Sequence, residues 1–394
     1  MMARSGRFNK SPRPVLRSPN NSIQSPSPLT KNTTRNKMRE AITFDDVLLE
    51  PQFSDIKSRS EVDISSELGT LSQTSVKKLT ISSYSASIVK ENAVYKMPVI
   101  SSPMDTITGG EMASAMFAAG GLGIIHRYNS IEEQADIVKK LAQKDKGAYI
   151  AAAIGATGDY LERAQELVSK GADILCIDVA HGHHKFVEQA CKKIKEDFKL
   201  VHLMAGNVAT IQGFTALENW GADSIRVGVG GGSICSTRVR TGHGIPTLQS
   251  VINCASVARN AKIVADGGLR TSGDIVKALA AGADFVMLGS MLAGSAETPG
   301  EKQLVDDKYY KKYRGMASKE AQTQWRGFCS VEEGISTVVP FKGSVLEVLS
   351  EIEGGIRSGL SYSGARNLTE LRAFGKFIRQ TNSGKLEGNT HILF

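Results

Sequence analysis

Eight short apolar runs, each followed by a helix-patterned stretch, predict an α/β chain whose parallel strands close into a (β/α)8 TIM barrel. Two further observations point the same way. Polar residues gather just after the apolar runs, on the face where barrel enzymes carry their chemistry, and the phrase Gly-Ala-Asp recurs just before three of them. A chain of 394 residues suits one large barrel with a tail better than two ordinary domains.

The predicted strands are Pro98–Ser101, Gly123–His126, Tyr149–Ala153, Ile174–Asp178, Leu200–Ala205, Ser224–Val227, Lys262–Ala265 and Phe285–Leu288. The helical stretches between them include Ile131–Leu141, Tyr160–Lys170, Lys185–Asp197, Ile211–Trp220, Pro246–Asn260 and Gly273–Ala281. Gly171-Ala-Asp, Gly221-Ala-Asp and Gly282-Ala-Asp each join a helix to the next strand and read as αβ turns on the stability face. Asp105, His126, Asp178, Asn207, Gly228 to Cys235, Asp266 and Gly289 fall on the opposite face.

Composition excludes several classes. No apolar run approaches the roughly 18–20 residues of a membrane span, and the N-terminus lacks the apolar core of a secretory signal. Cys176, Cys191, Cys235, Cys254 and Cys329 are scattered, odd in number and without a CxxC pair. Disulfide and zinc frameworks are therefore not expected, and a reducing, cytoplasmic setting is. The formal charge is +8, but residues 1–37 hold eight Lys/Arg and no acid, while residues 38–394 hold 40 basic and 40 acidic side chains. The body is neutral, so nucleic acid is not an expected partner.

The tail at residues 1–37 is rich in Ser, Pro, Asn and Arg and is expected to be disordered. A solvated extension is the default reading, with an organelle-targeting peptide and an anionic tether as alternatives. Its Ser-Pro pairs (Ser11, Ser18, Ser25 and Ser27) are phosphate acceptors that would cancel the charge. Residues 38–394 form the expected catalytic domain, with no inserted regulatory domain. Residues 64–96, Ser/Thr-rich and partly apolar, have no assigned element.

Cys235 is the first candidate for chemistry. A lone Cys is ordinarily a small buried hydrophobe. Here Gly228, Gly230, Gly231 and Gly232 precede it, Ser233, Ser236 and Thr237 surround it, and Arg238 and Arg240 supply the positive charge that favours a thiolate. The stretches Asp266–Gly273 and Gly289–Gly294 follow two successive strands and open helices, the usual barrel phosphate cradle. Asp266 suits a ribose diol rather than the phosphate. The His181, His183 and His184 loop fits no metal spacing and reads as a ligand-binding loop after Asp178. Residues 313–343 are polar, Gly-punctuated and long enough for a flap that excludes water.

Seven motifs then carry a resemblance: Thr43-Phe-Asp-Asp-Val-Leu-Leu-Glu-Pro51, Ser102-Pro-Met-Asp-Thr106, Asp178-Val-Ala-His-Gly182, Ala205-Gly-Asn-Val208, Gly228-Val-Gly-Gly-Gly-Ser-Ile-Cys235, Ala265-Asp-Gly-Gly268 and Tyr313-Arg-Gly-Met316. In this order, over about residues 40–394, the body resembles the IMP dehydrogenase/GMP reductase family.

The resemblance implies that Cys235 attacks C2 of a purine 5′-monophosphate, GMP or IMP, and that Thr237 and Glu333 assist. It implies nucleotide binding by Ser102, Met104, Ser233, Asp266, Gly267, Gly268, Gly289, Ser290, Tyr313, Arg314, Gly315 and Met316. It places a nicotinamide cofactor, NADPH or NAD, against Asp105, Arg127, Asp178, Val179, Ala180, Asn207 and Gly228. It further implies a homotetramer and a K+ ion held by Gly228, Gly230, Cys235 and Arg238.

Two activities share the Cys adduct. The dehydrogenase hydrolyses it with an Arg-Tyr pair on a long flap. Here Lys319 to Glu333 is short, and Arg326 is followed by Gly327. Thr237-Arg-Val-Arg-Thr-Gly242 and Ser58-Arg-Ser-Glu-Val-Asp63 look like the reductase. Ser102-Pro-Met-Asp-Thr-Ile-Thr108 and Lys385-Leu-Glu-Gly-Asn-Thr-His391 look like the dehydrogenase. The flap concerns chemistry, so NADPH-dependent GMP reduction is the expected activity and NAD-dependent IMP oxidation the alternative. A non-catalytic nucleotide-binding protein is a remote third reading; a flavin-dependent barrel would leave the Cys235 loop unused.

Overall fold

The structure, a computed structural model, describes residues 38–72, 90–145, 147–388 and 390. The tail expected to be disordered, residues 1–37, lies outside them. One compact unit spans Ala41–Phe394.

Eight strands close into the expected barrel: β1 (Val99–Ser101), β2 (Leu122–Ile125), β3 (Ala151–Ile154), β4 (Ile174–Asp178), β5 (His202–Val208), β6 (Ser224–Val227), β7 (Lys262–Asp266) and β8 (Phe285–Leu288). Every neighbouring pair is parallel, and the ring follows chain order until β8 pairs with β1. Alternating side chains serve two cores. Ile100, Ile124, Cys176, Met204, Val264 and Met287 fill the barrel interior. Leu175, Ile177, Ala205, Ile225 and Ala265 face the helices. Burial on both faces is why these strands read as continuous apolar runs.

The Gly-Ala-Asp turns prove to be one device used three times. Each Gly has φ near +100° (109°, 96° and 110°), a region that favours glycine. Each Asp then reaches back to a backbone N–H of the preceding β-region. Asp173 accepts from Ile150 at 2.9 Å, Asp223 from Leu203 at 2.7 Å and Asp284 from Ile263 at 2.8 Å.

Some elements differ from the sequence-based expectation. The helix expected over Pro246–Asn260 spans only Thr247–Ala255. The Glu218 carboxylate takes the N–H groups of Arg259, Asn260 and Ala261 at 3.0, 2.8 and 3.0 Å and pulls that segment out of the helix. Tyr149 lies outside β3 and packs on Tyr95, with ring centroids 6.4 Å apart. From the unassigned 64–96 stretch, Ser66–Ser72 and Lys90–Tyr95 pair as an antiparallel hairpin. Leu68, Ala93 and Tyr95 join the interior core, so the hairpin closes the barrel floor. The middle of that stretch lies outside the described residues.

The predicted flap is a built unit rather than a bare loop. Gln303–Val305, Lys308–Arg314 and Ser336–Pro340 form a three-stranded antiparallel sheet. The helix Lys319–Arg326 rides between the second and third strands, capped by Ser318. No helix among the described residues is long and apolar enough to cross a membrane.

Candidate active site

A cavity of about 600 Å³ opens at the C-terminal ends of the strands, a size suited to a nucleotide. Cys235, Thr237, Glu333, Asp178, Asn207 and Asp266 all line it. Strand β6 delivers the Cys loop: Gly228 follows it directly, and residues 230–236 run over the barrel mouth. The loop can lie this close because glycines face glycines. A Cβ on Gly228 would stand 2.0 Å from the Asp266 carbonyl, and one on Gly267 would stand 3.0 Å from the Gly232 nitrogen.

Cys235 is the exposed cysteine of the five; Cys176, Cys191 and Cys254 are buried and Cys329 is intermediate. Burial pushes the Cys176, Cys191 and Cys254 thiols up to about 12 and keeps them protonated. Around Cys235 a proton chain is in place. Its thiol donates to Thr237 Oγ1 at 3.2 Å, and Thr237 donates to Glu333 Oε2 at 2.8 Å. The flap is tied here by backbone as well: Ser236 N–H donates to the Glu333 carbonyl at 2.9 Å and Ile335 N–H to the Ile234 carbonyl at 3.0 Å.

Hydroxyls converge beside the loop. Ser233 Oγ and Tyr313 Oη lie 3.4 Å apart. A Cβ on Gly289 would meet Ser102 Oγ at 3.2 Å, Tyr313 Oη at 3.3 Å and Met104 Sδ at 3.5 Å, so glycine keeps this corner open. Ser102 Oγ is buried without a hydrogen-bond partner among the described residues. Burial pushes the Tyr313 phenol up, so it stays a neutral donor. Gly267, Gly268 and Ser290 complete this wall. Such a corner of hydroxyls and backbone is what a phosphate monoester needs.

At the cavity base Arg226 bridges two carboxylates. Nη1 lies 2.5 Å from Asp178 Oδ1 and Nη2 2.8 Å from Asp266 Oδ2. Asn207 Nδ2 adds a bond to the same Asp266 oxygen at 2.7 Å. Burial opposes the charge on Arg226, but Asp266 and Asp178 outweigh it and hold it protonated. The donors to Asp266 all go to Oδ2, and Oδ1 takes none from the described residues. Arg226 was not among the expected site residues. A charged side chain inside the apolar run Ser224–Val227 was the available signal.

Other expectations are redistributed. Asp105 and Arg314 pair with each other and do not line the cavity. Met104, Gly315 and Met316 do. Arg127, Val179 and Ala180 line it too, joined by Tyr128, Gln322 and Arg326, which were not among the expected site residues. Arg127 donates to the Asp178 carbonyl at 3.2 Å, while its Nε is buried without a partner. His184 caps the helix Lys185–Asp197, its ring accepting Phe186 N–H at 3.2 Å. Among the described residues no His, Cys, Asp and Glu cluster suits a metal ion.

A K+ ion calls for carbonyl oxygens with a lone pair to spare. Those of Gly230 and Cys235 accept no N–H from the described residues, so they fit. The Gly228 oxygen accepts Asn207 Nδ2 at 2.9 Å and that of Arg238 accepts Gly242 N–H at 3.1 Å, each keeping a second lone pair that a cation can use.

The family model described as IMP dehydrogenase / GMP reductase domain matches residues 41–391. The chain belongs to the IMP dehydrogenase/GMP reductase family. Inosine-5′-monophosphate dehydrogenase of Nitrosopumilus maritimus is 32% identical over 491 aligned positions, covering 90% of this chain and 99% of that protein. The enzyme of the same name from Borreliella burgdorferi is 33% identical over 419 positions, covering 90% and 98%. A cysteine-to-alanine variant of Trypanosoma brucei GMP reductase, solved with guanosine 5′-monophosphate, superposes with a TM-score of 0.80 at 29% identity, covering 91% and 99%. Family membership makes the chain an oxidoreductase of purine nucleotides on a TIM barrel. The 491 aligned positions exceed this chain's 394 residues, so the Nitrosopumilus enzyme carries segments without a counterpart here. The Borreliella enzyme, which carries the same name, aligns over 419 positions, a much smaller excess.

Proposed function

We propose that this protein is a GMP reductase that converts GMP to IMP and ammonia. The observation that carries the reading is the chain from Cys235 through Thr237 to Glu333. It supplies what deamination of an adduct requires, a proton path to a leaving amine. Hydrolysis of the adduct would instead require a positioned base for water, and the flap offers no Arg-Tyr pair for that.

The thiol gives its proton through Thr237 to Glu333, and Cys235 Sγ bonds to C2 of GMP. Glu333, acting through Thr237, returns that proton to the exocyclic amine, which leaves as ammonia. A bound reduced nicotinamide dinucleotide supplies the hydride that C2 then receives. The Cys235 sulfur departs as thiolate, takes a proton, and IMP is free. Ser233, Tyr313, Gly289 and Ser290 hold the phosphate, and Asp266 Oδ1 accepts from the ribose. Asp178, Arg127 and Asn207 border the space for the dinucleotide. A K+ ion would be held by the carbonyls of Gly228, Gly230, Cys235 and Arg238 and would stiffen the loop.

The second reading, IMP oxidation, has its own observation: Arg326 of the flap lines the cavity, and the curated relatives carry the dehydrogenase name. Purified protein given GMP with NADPH should oxidise the cofactor and release ammonia. Robust NADH formation from IMP and NAD would overturn the proposal.

A further inference from the structure

Residues 230–244 leave the barrel as one excursion that carries Ser233, Cys235 and Thr237. Its two ends meet, since Val229 and Ile245 form an isolated antiparallel bridge. Arg238 sits within the excursion, in the short helix Thr237–Thr241, and its side chain turns back to that junction. Nε donates to the Val229 carbonyl at 3.2 Å and Nη2 to the Ile245 carbonyl at 2.7 Å.

The path of this side chain is open because two glycines flank it. A Cβ on Gly230 would stand 2.6 Å from Arg238 Cγ, and one on Gly244 would stand 2.7 Å from the same atom. Both glycines have positive φ, 73° and 153°. Arg238 has no acidic partner among the described residues, so its donors serve carbonyls. Arg240 takes another direction, with its guanidinium 3.8 Å from Glu332 and 55% exposed. The two arginines, equivalent in the sequence, therefore have separate tasks.

We propose that Arg238 is a positioning residue that clips the two ends of the excursion together and so fixes Cys235 and Thr237 over the substrate. This rests on Cys235 as the nucleophile and not on which of the two reactions follows. A closed excursion held at its neck samples fewer shapes than one held by a single backbone bridge. A planar guanidinium reaches two carbonyls at once, a geometry that a lysine ammonium does not reproduce. Displacing reacting groups by about 1 Å is enough to cost on the order of 10²-fold in rate.

The test uses Arg238→Ala and Arg238→Lys in the full chain, assayed in whichever nicotinamide-linked reaction the wild type catalyses. Calorimetry with GMP and IMP measures nucleotide affinity in parallel. The expected result is a fall in kcat on the order of 10²-fold for Arg238→Ala, with nucleotide affinity little changed. Millimolar guanidinium, filling the space between Gly230 and Gly244, should restore a large part of that kcat, and Arg238→Lys should recover little. Wild-type kcat in Arg238→Ala overturns the proposal. So does a loss that guanidinium leaves untouched, which would assign Arg238 to general stability. Should Arg238→Ala fail to fold, Arg238→Met keeps the stem, and its kcat loss at unchanged nucleotide affinity carries the test. If the wild type oxidises IMP instead, the reductase reading falls while this experiment runs unchanged on that reaction.

Discussion

Thr237 Oγ1 stands 2.8 Å from Glu333 Oε2 and 3.2 Å from Cys235 Sγ, so a single hydroxyl joins the thiol loop to the flap. Thr237 and Glu333 are 96 residues apart in the chain. Their meeting gives the Cys235 thiol a hydrogen-bonded path to a carboxylate. Glu333→Gln removes the acceptor while keeping the shape. Ammonia release should fall by about 10²–10⁴-fold, the usual contribution of positioned acid–base catalysis. Isotope-labelled GMP followed by mass spectrometry measures the step directly. An unchanged rate would remove Glu333 from the reaction.

Cys235→Ala should abolish turnover and leave GMP affinity within a few-fold, because Ser233, Tyr313 and the Gly267–Gly268 wall stay intact. Calorimetry reads the binding, and loss of nicotinamide absorbance reads the turnover.

Arg226 is buried between Asp178 and Asp266. Arg226→Met leaves two carboxylates without their cation. Breaking a buried ion pair from one side typically costs about 3–5 kcal/mol, so the urea midpoint should drop sharply. Replacing an exposed pair such as Lys193 with Asp197 should barely move it.

His202 is buried in the barrel wall, hydrogen-bonded to Ser224 at 2.8 Å. Burial lowers its pKa from 6.5 to about 4. The folded state therefore keeps it neutral where the unfolded state takes a proton. Its contribution is whole above about pH 6.5 and is lost as pH falls towards 4, up to about 3 kcal/mol. Stability measured by urea unfolding should decline between those limits, and His202→Gln should flatten that part of the profile.

Gly228→Ala should cripple the loop. Its φ is 150°, and the new Cβ would stand 2.0 Å from the Asp266 carbonyl. The chain must move there, which displaces Cys235. Thermal unfolding and kcat should both fall.

Much of this was legible in the sequence for physical reasons. Barrel strands buried on both faces give short apolar runs, and all eight stood at their places to within a few residues. Gly-Ala-Asp marked the αβ turns because φ near +100° selects glycine. The cysteine loop was legible because Gly228 to Gly232 permit close approach to the β7 loop. The Asp266–Gly268 and Gly289–Ser290 cradles showed for the same reason. Pairings over long separations were not legible. That Asp105 meets Arg314 and so leaves the cavity wall, that Arg226 joins Asp178 to Asp266, and that Arg238 rather than Arg240 turns beneath the Cys loop depend on where the barrel brings distant segments. The sequence alone determined the barrel, through local spacing and backbone demands, and its motifs carried the resemblance that pointed to purine-nucleotide chemistry and to Cys235 as the expected nucleophile. Only the tertiary structure decided which charges pair and which face the ligand, because that choice is made by packing between segments that the chain order does not place together.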